Sequence, residues 1–438
     1  MPYICGLLFF VFDYLRPGSY IPAIEALHLN SLIPIVGIVG TMVLRTPISN
    51  RDYFADTNAK IMGALLFLLV LSTAFAQVTT YAYDVLEKVW GFMLIGWVIA
   101  RNSATIPRLK GVFMTLVGVH IAVGILNPEL FTNPESRVGI NSGAFIGDGN
   151  DFSLSVNICV PLALFVLLES KKKLAKVFWI LALVMLVLSI VATKSRGGTL
   201  ALGSVALYYW LQSDRKVLMA ALFVALLGIV IAVAPPMYFD RMGTIGDTTE
   251  GSAQGRLIAW GAAIKMAAKN PILGAGAGHF PTVYGTTYRA EGGAWITAHS
   301  IYFLVLGELG VPGIIVLLTF FFSNWANNRR LLRQVAALPE AEAATIKHML
   351  TCTSVSLLAF AVGGAFLSVA YYPHLYVLSA VMVATRAIAL KHLEKNACGE
   401  TPGQATHAPA AKPPVSNSLV SPEWSPRPAR ASLLVVNP

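Results

Sequence analysis

Lys171-Lys172-Lys173 is followed by LAKVFWILALVMLVLSIVAT at residues 174–193, and then by Lys194-Ser195-Arg196-Gly197-Gly198. A run of this length, broken by one charge at Lys176, matches the thickness of a bilayer core when it is coiled as a helix. Comparable apolar segments lie near 3–15, 29–46, 61–77, 81–100, 106–126 and 151–168. Others lie near 197–212, 217–234, 300–323, 347–368 and 371–390. The reading is therefore an all-α polytopic membrane protein with about twelve transmembrane helices. Composition agrees: of 438 residues, 56% are hydrophobic and only 12% charged, with mean hydropathy +0.66. A soluble domain carries about twice that charge.

Charge sets the expected orientation. The net charge is +10, but the cations sit in short runs between apolar segments, not in an aromatic and basic surface. That pattern argues against a nucleic-acid partner. Short loops of one parity hold sixteen Lys and Arg, including the 171–173 cluster, whereas the opposite loops hold Arg16, Arg137, Lys194 and Arg196. By the positive-inside rule both termini are cytoplasmic, and the long segment 235–299 forms one large outward-facing loop carrying a short helix, a periplasmic loop if the membrane is a bacterial inner one. Met1–Tyr14 lacks a basic start and a small-residue cleavage site, so it reads as a first span and not as a signal peptide. The transmembrane domain is placed at 1–391. Residues 392–438, with eight of the 24 prolines between Pro402 and Pro438, read as a disordered cytoplasmic tail. Cys5, Cys159, Cys352 and Cys398 form no C-x-x-C pair, and neither a metal site nor a cofactor motif is found.

Chemistry is sought where the charge rule is broken. Lys194 and Arg196 lie in a tight turn on the outward side and call for anionic partners, either lipid phosphate or a diphosphate substrate. Within the long loop, Leu257, Trp260, Gly261, Ile264 and Ala268 recur at helical spacing and leave Arg256 off the stripe. Asn270-Pro271 ends that helix, and Gly274, Gly276 and Gly278 follow. Alternate glycines serve close packing, their commoner use, or let backbone amides approach a phosphate. His299 stands at the N-terminus of the next span, where the helix dipole favours a neutral imidazole able to take a proton from a hydroxyl. An interfacial histidine bonded to backbone or water is the other reading. Glu308 lies about 13 Å further along that span and needs a partner, structural or functional.

In order, Ser195-Arg196-Gly197-Gly198, Gly255-Arg256-Leu257-Ile258-Ala259-Trp260 with Asn270-Pro271-Ile272-Leu273-Gly274-Ala275-Gly276, and His299-Ser300-Ile301-Tyr302 through Gly307-Glu308-Leu309-Gly310-Val311-Pro312-Gly313 resemble the O-antigen ligase family. Tyr14-Leu15-Arg16-Pro17 also resembles the ligases associated with exosortase systems. The resemblance implies a metal-independent transferase of the bacterial inner membrane, acting at the periplasmic face. It would move a glycan from undecaprenyl diphosphate to an acceptor hydroxyl, with lipid A–core as the expected acceptor. Protein O-glycosylation, O-antigen polymerisation and glycolipid transport are the alternatives. It further implies that His299 activates the acceptor and that Arg196 and Arg256 hold the diphosphate. Lys194, Gly274, Gly276 and Glu308 are expected to assist in substrate binding. Ser300 departs from the asparagine common after the family's histidine.

Overall fold

The computed structural model describes residues 1–133, 139–142, 145–245, 251–289 and 293–397, and every regular element among them is helical. The long helices are α1 (Pro2–Phe9), α2 (Leu29–Val43), α3 (Thr57–Ala74), α4 (Thr79–Ser103), α5 (Ile106–Leu126), α6 (Gly149–Leu168) and α7 (Lys173–Ala192). They continue with α8 (Arg196–Gln212), α9 (Lys216–Val233), α10 (Gly251–Lys269), α11 (Ile301–Gln334), α12 (Glu340–Gly364) and α13 (Pro373–Ala397). Helices α6 and α13 are buried along most of their length and form the centre of the bundle. The protein is a multi-pass membrane protein.

Each of the twelve apolar segments folds as helix, but among the described residues eight helices are long and apolar enough to cross a bilayer. A ninth is gained if α9 and the short helix Pro236–Gly243 that follows it, bent 117° from one another, count as one span. The shortfall has local causes. Helix α1 runs only 8 residues before a π-helical turn at Phe10–Leu15, and α8 stops at 17. Helix α4 carries Asp84, Glu87 and Lys88, all on its exposed face. A translocation path lined by those charges would need them inside the bundle. The helix α13 also continues six residues past the expected boundary at 391, to Ala397, and the rest of the expected tail lies outside the described residues.

Segment 235–299 holds more structure than one short helix. It contains Pro236–Gly243, the 19-residue α10, Phe280–Val283 and a π-helical turn at Tyr284–Tyr288. The expected apolar stripe of α10 is also displaced. Ala259, Ala262, Ala263, Met266 and Ala267 are buried, whereas Leu257 and Ile264 are exposed. Small residues win the inward face because α10 packs closely on α11: a Cβ at Gly307 would sit 3.3 Å from the Ala263 Cα.

Helix α11 is broken where it meets the glycine run. Gly310 adopts φ 65° and ψ −160°, a region open essentially only to glycine. The break frees carbonyls that would otherwise bond within the helix. Gly307 O accepts from Ala275 N (2.7 Å), Glu308 O accepts from Gly276 N (3.0 Å), and Val311 N donates to Pro271 O (2.8 Å). A side chain at Gly310 would strike the Pro271 carbonyl. Gly310→Ala is therefore expected to destabilise the fold by about 2 kcal/mol or more, from strain and collision together. Thermal unfolding of the detergent-solubilised variant checks this, and an unchanged midpoint would contradict it.

Candidate active site

Ser195 starts α8: its Oγ accepts from Gly198 N at 3.1 Å, as an N-cap serine should. The cap places Arg196 at the first helical position, 8% exposed, with Nη1 donating to Thr244 Oγ1 at 2.9 Å. Arg256, on the first turns of α10, faces the same space, a pocket of about 150 Å³ also lined by Leu257, Trp260 and Phe366. The Arg256 guanidinium lies 6.0 Å from the centre of the Phe366 ring. Two arginines from different helices thus converge on one pocket, whose other walls are largely apolar.

Arg256 also lines a second cavity, of about 480 Å³, with His299, Asp148, Asn150, Asp151, Thr297, Ser368 and Tyr372. Residue His299 precedes α11 in the left-handed region at φ 47°, which is uncommon for a non-glycine residue. Its backbone N–H donates to Ser368 Oγ (2.9 Å), and that hydroxyl donates to Thr297 Oγ1 (3.0 Å). The imidazole has no hydrogen-bond partner among the described residues. Burial, and then the Arg256 cation, hold its pKa below the usual imidazole range, with the Asp148 carboxylate opposing them. The Asp148 side chain caps α6 by accepting from Asn150 N at 2.7 Å. Burial and the neighbouring Asp151 and Asp148 carboxylates push the Tyr372 phenol up to about 12, so it remains protonated.

The remaining expected site residues are engaged elsewhere. Lys194 is 1% exposed and its Nζ donates to Asn133 O at 2.6 Å. Gly274 and Gly276 line neither arginine pocket nor histidine cavity; they border a separate cleft with Ser72, Phe75 and Gln77. Every amide from Gly274 to Phe280 donates within the protein, to backbone carbonyls, to Ser72 Oγ or to Glu308. The run is a packing device and has no amides spare for a phosphate. Glu308 is 1% exposed. Its Oε2 accepts from Gly278 N (2.9 Å) and Tyr371 Oη (2.8 Å), and its Oε1 accepts from Phe280 N (2.8 Å). Nearby His279 is equally committed: Nδ1 donates to Ala277 O and Nε2 accepts from Val78 N. Of the two histidines that bracket this stretch, only His299 presents an unengaged ring to a cavity.

The loop 365–372 between α12 and α13 escaped the sequence reading. It supplies Phe366 to the arginine pocket, and Leu367, Ser368 and Tyr372 to the histidine cavity. In sequence it falls where two apolar spans nearly touch, with no charge to draw attention.

Residues 181–318 match the family model described as O-antigen ligase. Over that stretch, less than half of the chain, the sequence is similar to O-antigen ligases. The stretch contains Arg196, Arg256, His299 and Glu308, whereas Asp148–Asp151 and the 365–372 loop lie outside the matched residues. No curated protein matches the chain.

Proposed function

We propose that the protein transfers a glycan from undecaprenyl diphosphate to an acceptor hydroxyl at the periplasmic face of the bacterial inner membrane, with lipid A–core as the acceptor. The supporting observation is that Arg256 lines both the Arg196 pocket and the His299 cavity. A diphosphate on the two guanidiniums would put its sugar at the mouth of the histidine cavity. His299 takes the acceptor proton as the acceptor oxygen bonds to the anomeric carbon. The bond from that carbon to the diphosphate oxygen breaks, and the leaving undecaprenyl diphosphate keeps the electron pair. The arginines stabilise the charge developing there, which is where preorganised cations contribute most. The chain's other contribution is to hold the two reactants in one geometry.

Deleting the gene tests the reading: full-length lipid-linked polymer should accumulate, unattached to lipid A–core. Polymer attached as before would refute the acceptor assignment. Loss of polymer length would indicate a polymerase, and loss of glycan from a protein would move the acceptor to protein.

The orientation has its own check. A cysteine placed at Gly251 should react with a membrane-impermeant thiol reagent from the periplasm, and one placed at Lys172 should not. The reverse labelling pattern would defeat the proposal, because the donor glycan would then face the wrong compartment.

A further inference from the structure

The two pockets share a wall that is not part of the matched domain. Within loop 365–372, Phe366 lies under Arg256, and a Cβ on Gly197 would stand 3.2 Å from the Phe366 Cβ. Two residues on, the Ser368 hydroxyl receives the His299 N–H. Three residues further, Tyr371 donates its phenol to the Glu308 carboxylate, and Tyr372 returns to line the cavity. Glu308 in turn holds the amides of Gly278 and Phe280. One buried carboxylate therefore ties the segment that follows α10, the broken helix that follows His299, and the loop that contacts both arginine and histidine sites.

We propose that Glu308 and Tyr371 are positioning residues, forming a latch that sets loop 365–372 so that Ser368 fixes the backbone of His299. This rests on His299 being the base proposed above. His299 needs such support because it holds a left-handed backbone conformation, which L side chains adopt at a cost. A buried carboxylate with three donors is a stiff anchor. The tie is not required to close the bundle, since α11 is also joined to the glycine run by the backbone bonds of Gly307, Glu308 and Val311. With the latch in place the imidazole stays partly shielded from water. Released, it should move towards solvent and towards an ordinary imidazole pKa. The charged and titratable groups around its cavity are Arg256 from α10, Asp148 and Asp151 from the start of α6, and the Tyr372 phenol of the loop itself, and cutting the latch removes none of them.

The test uses Tyr371→Phe, which removes one hydroxyl and keeps the ring, and Ser368→Ala, which removes the acceptor of the His299 N–H. Two readouts are taken on full-length protein in detergent or nanodiscs. Transfer kinetics should show kcat down about tenfold, with the KM for lipid-linked donor within about twofold, as for misplacement of a reacting group. Diethyl pyrocarbonate labelling of His299, followed by mass spectrometry across pH, should show its half-point rising by about half a unit. A purely structural role would lower the amount of folded protein and leave that half-point unmoved. An unmoved half-point in both variants, whatever the turnover, overturns the proposal. If wild-type protein transfers no glycan, the functional reading fails, while the labelling shift still decides whether the latch positions His299.

Discussion

A His299→Ala variant inserts and folds like the wild type and transfers glycan about 10²–10⁴-fold more slowly, the range that general-base help contributes. The expectation follows from three features of the site. The ring reaches a cavity large enough for a sugar, it is uncommitted to any protein hydrogen bond among the described residues, and it is held below the ordinary imidazole pKa. A base must be unprotonated to act. With the folded pKa lowered, His299 is neutral throughout the neutral range, so turnover should be flat there and fall only as acid carries the pH below that pKa. Donor binding should survive the substitution, because the proposed mechanism gives the diphosphate to the arginines and not to the imidazole. The measurement is an in vitro transfer assay with purified lipid-linked donor and acceptor, run beside a donor-binding titration. Undiminished turnover in His299→Ala would remove the base from the mechanism. Lost donor binding would reassign His299 to the phosphate site.

What could be seen in the sequence was whatever broke a rule. Arg196 is a cation on the wrong side of the charge pattern, and His299 is an ionisable group at the edge of a span. Both line the paired pockets. Apolar length located twelve segments that fold as helix, but length alone could not separate true spans from α1 or α8, which stop short. Residues whose meaning depends on a distant partner were not legible. Glu308 reads as a substrate ligand until Tyr371, 63 positions away, is seen bonded to it. The glycine run reads as packing first and phosphate cradle second, and the break at Gly310 shows which carbonyls its amides satisfy. The face of α10 was misassigned for a related reason. Hydrophobicity ranks leucine and isoleucine above alanine, but a close helix contact selects for small size.

Replacing either arginine with lysine should cost more than a conservative exchange suggests, and the two should differ in kind. Lysine keeps the charge but cannot present the planar fork that matches two phosphate oxygens. A charge-assisted hydrogen bond contributes about 1.5–3 kcal/mol, so each variant should lose roughly 10- to 150-fold in kcat/KM. Arg196 lines only the smaller pocket, where Thr244 already steadies its guanidinium. Its loss should fall on donor binding alone. Arg256 spans both pockets and its cation helps to hold down the His299 pKa. Removing that charge should let the imidazole pKa rise, moving the acid limb of the pH–rate profile towards higher pH. Arg256→Ala should therefore shift the profile, Arg256→Lys should shift it less, and Arg196→Ala should leave it in place while weakening donor binding. The comparison is made by recording full pH profiles of turnover for these three variants and Arg196→Lys. Wild-type activity in both lysine variants would reduce the arginines to lipid-headgroup contacts. Equal shifts from Arg196→Ala and Arg256→Ala would mean that Arg256 has no special place between donor and base.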